Sequence, residues 1–346
     1  MSNKENLIFH LLEIPLKRPI VTAWGNMMTK PVIVVEAVNN THTAYGEIPC
    51  LPSGKYTSKS AYELYAIIKE EICPIRKSEE DLLQALSTLN LPEIELGITA
   101  ASLTLKAKSQ EKDLHQYFSI AERKVDISKV YGAKFSIDEI LENIASKKFK
   151  QIKVKLKNRR DIPLLFPLQQ LESSIQIVID CNQCLDSNDE VNKIWEMLPN
   201  CMIEEPFSVQ RIDEYRKINT PEKIIFDESS TSTENILSLA NKFPNATFSI
   251  KPFRFGSLEK LKDITDRDIR CTLGGMYETG IGRSFNLFLA ALLGITQSCE
   301  ISERGTYFVN EITDDNHFVV NGAMSSCNSF TINQTHWDQY LIESVS

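Results

Sequence analysis

Apolar and polar positions along the chain change rhythm near residue 128. Before it, "LIFHLLEIPL", "PVIVVEAV" and "TAYGEIP" read as strands, with Asn39-Asn40-Thr41 as a turn between the last two. Helical spacing follows in "SKSAYELYAIIKEEI" (58–72), which opens on a serine, and continues in "SEEDLLQALSTL" and "TAASLTLKAKSQ". A meander followed by helices predicts a compact α+β unit of about 120 residues.

Beyond residue 128, short apolar strands alternate with amphipathic helices. The strands are "ISKVYG", "QIKVKL", "IQIVID", "CMIEEP", "KIIFDES", "ATFSIKP" and "RCTLGG". Intervening segments such as "SIDEILENIASK", "NILSLANKF" and "SLEKLKDI" carry apolar residues at i, i+3 and i+4. Repeated βα units with fully apolar strands predict a parallel sheet with helices outside. The spacing predicts an α/β fold, a barrel of βα units behind an N-terminal α+β unit.

Polar residues at the strand ends favour a barrel over an open sheet. Lys155, Asp180, Glu204, Asp227, Lys251 and the pair Gly274-Gly275 follow one another at steps of about 24 residues, close to one compact βα repeat. In a barrel these C-terminal ends surround one mouth, so residues distant in sequence converge. Three carboxylates brought together repel one another unless a cation joins them. Oxygen ligands without His or Cys suit a hard ion such as Mg²⁺, with Mn²⁺ as a substitute. A lysine on either side suits removal of a proton α to a carboxylate, with the cation neutralising the oxyanion formed. Alternation in "QIKVKLK" sets Lys153, Lys155 and Lys157 on one face, expected to point inward, and Ile152, Val154 and Leu156 on the other. Lys155 near the strand end is the candidate base, and Lys153 is expected to depress its pKa by like-charge proximity. Each element alone has a plainer reading, as an edge strand with solvated lysines, a helix cap or a turn; the ordered set does not.

Composition narrows the alternatives. The chain has 346 residues and a formal charge of −8 without a basic block, which argues against nucleic acid as a partner. The longest apolar run, "LFLAALLGI", is far short of the roughly 20 residues of a membrane span, so a cytoplasmic protein without a membrane partner is expected. Eight cysteines are scattered, and only Cys181 and Cys184 in "VIDCNQCLD" form a C-x-x-C pair. A redox dithiol or zinc half-site there lacks a second ligand pair, because the five histidines are isolated. Asp180 is then the functional residue of that stretch, with Asn182 bracing it.

"KVK" (153–155), "VIDCN", "MIEEPF", "FDES", "SIKPFRFGS" and "GGMYETGIGRS" resemble, in order and spacing, the muconate-lactonizing-enzyme subgroup of the enolase superfamily. "PLKRPIVTAWG", "AYGEI" and "YTSKSA" resemble that group's capping domain, so the resemblance covers nearly the whole chain. Within the subgroup, "KPFR" and "GGMYETGIGR" look most like the o-succinylbenzoate synthases of Gram-positive bacteria and the related N-acylamino acid racemases. The resemblance implies Asp180, Glu204 and Asp227 as Mg²⁺ ligands, and Lys155 and Lys251 as the lysines on opposite faces of a small carboxylate substrate. It also implies Gly275 and Met276 as substrate contacts, and Arg254 as an arginine of the Gram-positive branch. The activity implied is dehydration of a cyclohexadiene carboxylate to o-succinylbenzoate in menaquinone biosynthesis, through an enediolate. The alternative is an N-acylamino acid racemase or dipeptide epimerase, in which the lysines alternate as acid and base. Phe253 and Ser257, where racemases have glycines, and "LKNRRD" without the racemase branch's Pro-Gly favour the synthase. The fold the resemblance implies is α/β, a (β/α)7β TIM-like barrel of residues 126–311 with an N-terminal α+β capping domain of residues 1–125, completed by about 312–346. Capping loops around 18–29 and 50–59 are expected to close over the mouth. A homo-oligomer is compatible with all of this.

Overall fold

The computed structural model describes residues 6–22, 25–53, 59–75, 82, 86, 88–132 and 134–346. Its first sheet is built on a long hairpin, β1 (Asn6–Thr22) and β2 (Gly25–Val38), followed by β3 (Thr43–Ile48). All pairings are antiparallel, and the turn at Asn39–Thr41 falls between β2 and β3 as expected. The "PVIVVEAV" run shows little alternation because the strand is buried on both faces. Ile33, Val35 and Ala37 pack with Ile94, Ile98 and Leu105, while Val32 and Val34 join the main core.

Helix Pro92–Lys108 lies across this sheet at very close range. A Cβ on Gly46 of β3 would stand 2.1 Å from the Gly97 carbonyl oxygen of the helix. Helix Ala61–Ile67 is started by a reciprocal cap, the Ser60 N–H donating to Glu63 Oε2 and the Glu63 N–H to Ser60 Oγ. It passes into a wider π turn at Ile68–Ile72. Most of "SEEDLLQALSTL" lies outside the described residues, as do 54–58 of the second expected capping loop. Of the region expected as the first capping loop, 18–29, the described residues 18–22 and 25–29 are strand, with a break in register between Pro15 and Ile20.

After the short β4 (Lys124–Asp126) come seven strands: β5 (Ser128–Tyr131), β6 (Gln151–Lys155), β7 (Gln176–Asp180), β8 (Met202–Glu204), β9 (Ile224–Phe226), β10 (Thr247–Ile250) and β11 (Cys271–Leu273). They form one parallel sheet in sequential order, each paired with the next. Among the helices between strands, Ile137–Lys147, Thr233–Lys242 and Leu258–Thr265 start on Ser136, Ser232 and Ser257, whose side chains accept the N–H three residues on. Their buried stripes, such as Leu258, Leu261 and Ile264, recur at helical spacing. The sheet curls: Ile127 pairs with Cys299 and Gly274 with Glu300, so the residues 299 and 300 bridge both edges.

The chain then returns. β12 (Thr313–Asp315) pairs with β14 (Phe330–Ile332), β13 (Ala323–Ser325) with β4, and β15 (Leu341–Val345) with β1, giving the first sheet the order β15-β1-β2-β3. No helix among the described residues is long and apolar enough to cross a membrane.

The helix–sheet contact at Gly46 leaves no room for a methyl group. Gly46→Ala is expected to lower stability by at least ~1–3 kcal/mol, the usual range for an overpacked core. Denaturant unfolding checks this, and a wild-type midpoint in the variant contradicts it.

Candidate functional site

Register brings the predicted residues together at one end of the curled sheet. Lys155 pairs with Asp180, and Asp180 with Glu204, across adjacent strands. Asp227 and Lys251 each sit one residue past the end of their strands, β9 and β10. Along β6 the alternation holds for Ile152, Lys153 and Val154. Lys153 is buried in the interior, its Nζ 2.6 Å from Glu204 Oε1, 2.7 Å from Glu300 Oε1 and 3.2 Å from Asp180 Oδ2. Lys155 Nζ stands 3.5 Å from Asp180 Oδ2, with its side chain 41% exposed. Lys157, expected on the same inward face, lies beyond the strand end and is exposed, because β6 stops at Lys155.

On the other side Lys251 Nζ donates to both Asp227 oxygens, 2.6 Å from Oδ1. Arg254, expected as a substrate contact, braces Asp227: its NH1 donates to the Asp227 carbonyl at 2.7 Å and reaches Oδ1 at 3.2 Å. Asn182 donates from its backbone N–H (3.1 Å) and its Nδ2 (2.6 Å) to Asp180 Oδ1.

These charges set one another's ionisation. Burial opposes the charged form of Asp180, but Lys153 and Lys155 outweigh it and hold the carboxyl below its usual range. Asp227 is likewise lowered, against burial, by Lys251 and Arg254. Glu204 goes the other way: burial and the neighbouring Asp180, Glu300 and Asp227 push it well above the usual carboxylate range despite Lys153. Lys155 was expected to have a depressed pKa. Burial and Lys153 do act in that direction, but the Asp180 carboxylate outweighs them and raises it.

Among the described residues no three His, Cys, Asp or Glu side chains are grouped so as to hold a metal ion, since ammonium groups stand between the carboxylates. The donor set nonetheless fits a hard divalent cation in kind. Three buried carboxylates stand at the ends of three neighbouring strands, all of them hard oxygen donors.

Beside this row a cavity of about 150 Å³ is lined by Lys155, Gly275, Tyr277, Glu278, Glu300 and Tyr307, among others. Gly275 lies on it, and a Cβ there would meet the Glu300 carbonyl at 2.6 Å. Met276 does not line it, being packed in the core with its N–H on Glu278 Oε1.

Several residues of this region carried no recognisable sequence signal. Glu300 belongs to a two-residue bridge too short to read as a strand. Glu205 follows Glu204 and by alternation should face outward, but its backbone turns left-handed (φ 38°) and the carboxylate is buried. It accepts from the Asp227 N–H at 2.7 Å, the Ser229 N–H at 3.2 Å and the Ser229 hydroxyl, fixing the loop that carries Asp227. Cys181 is buried and its thiol pushed well up, and Cys184 is pushed up to about 11, both by burial first; both are free. Neither has the low pKa of a reactive dithiol.

Burial, reinforced by Glu228, pushes Glu205 up to about 7 from 4.5, against its hydrogen bonds from Ser229 and Asp227. A raised folded-state pKa adds stability that is fully present below the unfolded value and lost as pH rises through about 7. The stability advantage of metal-free wild type over Glu205→Gln should therefore shrink between pH 5 and 8. Denaturant melts at the two pH values measure it, and an advantage that grows with pH contradicts the assignment.

A family model described as the C-terminal domain of a domain of unknown function, DUF8230, matches residues 180–302. The chain is 22% identical over 342 residues to an o-succinylbenzoate synthase of Enterococcus faecalis, covering 93% of each. To the o-succinylbenzoate synthase of Bacillus subtilis it is 24% identical over 343 residues, 94% of this chain and 92% of the relative. To an N-succinylamino acid racemase of Thermus thermophilus it is 23% identical over 323 residues, 88% and 87%. An enolase-superfamily member from Listeria innocua superposes with a TM-score of 0.85 at 20% identity, over 99% of this chain and 98% of that one. The muconate lactonizing enzyme from Pseudomonas putida does so with 0.81 at 17%, over 99% and 100%. The chain thus has the fold of enolase-superfamily proteins, and its sequence relatives carry the names o-succinylbenzoate synthase and N-succinylamino acid racemase.

Proposed function

We propose that the chain is a cytoplasmic, Mg²⁺-dependent o-succinylbenzoate synthase, which dehydrates a cyclohexadiene carboxylate in menaquinone biosynthesis. The observation that carries this reading is the ordered row Lys155, Asp180, Glu204, Asp227, Lys251: three buried carboxylates bracketed by two lysines, beside a cavity that Lys155 lines. In the same reading the curled sheet counts as a (β/α)7β barrel. Residues 1–125 with about 312–346 form its capping domain.

Asp180, Glu204 and Asp227 would hold Mg²⁺, or Mn²⁺ in its place, and the ion would supply positive charge opposite the substrate carboxylate. Lys155, as the free amine, takes the proton α to the carboxylate, leaving an enediolate. The electron pair then collapses to expel the hydroxyl on the neighbouring carbon, and the Lys155 ammonium returns its proton to that leaving group, releasing water. Lys251 stays charged throughout and pairs with the enediolate. Lys153 holds Glu204 and Glu300 in the interior.

A second reading keeps the site and changes the outcome. The two lysines flank the row from opposite sides, and one relative is named a racemase, so Lys155 and Lys251 could instead exchange a proton across an N-acylamino acid or dipeptide.

Purified protein given Mg²⁺ and the cyclohexadiene carboxylate should form the aromatic product, and EDTA should stop it. Lys155→Ala and Lys251→Ala are each expected to lower kcat by about 10²–10⁴-fold, the scale of a lost proton-transfer or charge-stabilising group. The unfolding temperature should hold in Lys155→Ala, whose side chain is partly exposed, and fall in Lys251→Ala, which strands the buried Asp227. Near-wild-type turnover in Lys155→Ala sinks the mechanism. Exchange of the α-proton in heavy water without loss of water from the substrate selects the racemase.

A further inference from the structure

The cavity beside Lys155 has an aromatic wall formed by Tyr277 and Tyr307, whose rings meet edge to face with centroids 5.0 Å apart. Neither ring is held by its own strand. Tyr277 sits in the left-handed region (φ 61°), which is uncommon for a bulky residue and persists only where the surroundings impose it. The surroundings are two buried carboxylates. Glu278 Oε1 accepts the Met276 N–H at 2.8 Å and the Asn286 Nδ2 at 3.0 Å. Glu47, from β3 of the first sheet, reaches across to the other side of the loop. Its Oε2 accepts the Thr279 N–H at 2.9 Å, the Thr279 hydroxyl at 2.6 Å and the Gly282 N–H at 3.0 Å. It therefore fills the start of helix Gly280–Leu292, where unpaired N–H groups and the helix dipole favour an anion.

The reach needs glycine: a Cβ on Gly282 would lie 2.9 Å from Glu47 Oε2. Behind Glu47, the fully buried Lys30 Nζ lies 3.6 Å from Oε1 and balances its charge. Tyr307 is fixed from the same sheet. At the break in β1, Lys17 donates its N–H to the Tyr307 carbonyl at 2.8 Å, Leu16 bridges Phe308, and Val309 donates to the Pro15 carbonyl at 3.0 Å. Ser302 Oγ, 2.7 Å from the Tyr307 hydroxyl, sets the far end of the ring.

We propose that Tyr277 and Tyr307 are the specificity-determining wall of this cavity, favouring a flat unsaturated ring carboxylate over a flexible acyl amino acid, and that Glu47 is the positioning residue by which the first sheet sets that wall. This rests on the reading of the site as a carbon-acid enzyme and adds a reason for its preference. Two aromatic rings present area at little entropic cost and pack best on a planar partner. A carboxylate that only stapled the two sheets together would alter stability without altering which substrate is chosen.

The experiment compares kcat/KM for the cyclohexadiene carboxylate and for an N-succinyl amino acid in wild type, Tyr277→Leu, Tyr307→Leu, Glu47→Gln and Glu47→Asp, with thermal unfolding of each. Tyr277→Leu is expected to lose tenfold or more on the ring substrate, chiefly through KM, and less than threefold on the acyl amino acid. Glu47→Gln should move the ratio in the same direction and Glu47→Asp restore part of it. An unchanged ratio in Tyr277→Leu, with both activities falling together or neither moving, overturns the proposal; should Glu47→Gln not fold, Tyr277→Leu decides. If wild type turns over neither substrate, the proposed reaction fails on its own account, and the wall is judged by calorimetric binding of o-succinylbenzoate in the presence of Mg²⁺. Tenfold weaker binding to Tyr277→Leu than to wild type upholds it, and equal affinity or no binding to either overturns it.

Discussion

Charge balance at the ends of the parallel strands is the constraint that the rest of the molecule serves. Asp180, Glu204 and Asp227 are buried, and so are the Lys153 and Lys251 side chains paired with them. Taking such groups from water is expensive, and removing one partner of a buried pair typically costs about 3–5 kcal/mol because it strands the other. A fold selected for stability alone has little use for this arrangement, since apolar replacements of similar volume are often neutral or better. The apolar strands, outer helices and curled sheet keep the row dry and in register, so that each charge meets its partner at hydrogen-bond distance.

Two further carboxylates do for the loops what the strands do for the row. Glu205 holds the backbone at Asp227 and Ser229, and Glu47 holds Thr279 and Gly282. Both are buried and act on backbone N–H groups, which are obligatory donors with no other partner at a strand end or helix start. Glu47 differs in coming from the other sheet. Through it, and through the pairing of Pro15–Lys17 with Tyr307–Val309, the geometry of the cavity depends on how the first sheet sits on the second.

Much of this was legible because it follows from periodicity. The period-2 pattern of β6 and the steady spacing of strand ends are properties of backbone geometry, so residues from Lys155 to Lys251 could be set on one rim from the sequence. What escaped notice breaks the period or belongs to long-range pairing. Glu205 is turned inward by a single left-handed residue, which no alternation rule anticipates. Glu300 enters on a bridge of two residues, and Lys157 fails to point inward because β6 ends two residues earlier. Arg254 brings a cation to the site as its position suggests, but its partner is Asp227, a choice made by the 3-10 turn that follows Lys251. The expected capping loop at 18–29 came from the resemblance; its described residues are strand, and β1 leaves β2 just before them to pair with residues 307–309.

The same electrostatics bear on which lysine does the work. As it stands, Asp180 raises Lys155 above its ordinary value, further from the free amine a base requires. Asp180 cannot give its charge fully to both a divalent cation and Lys155. In the proposed reading, a cation held by Asp180 would take from the Lys155 ammonium its main support, while burial and the neighbouring Lys153 would still favour the free amine. Lys251 is placed differently. Its carboxylate, Asp227, is also held by Arg254, so the positive charge on that side does not rest on one residue, and Lys251 is far less exposed than Lys155. One lysine paired with Asp180 and open to the cavity, facing a second that shares its carboxylate with Arg254, is an unequal pair. One-base elimination with a fixed opposing charge uses such a pair as it is, whereas racemisation requires the two to trade roles, and this inequality is the physical ground for preferring the dehydration.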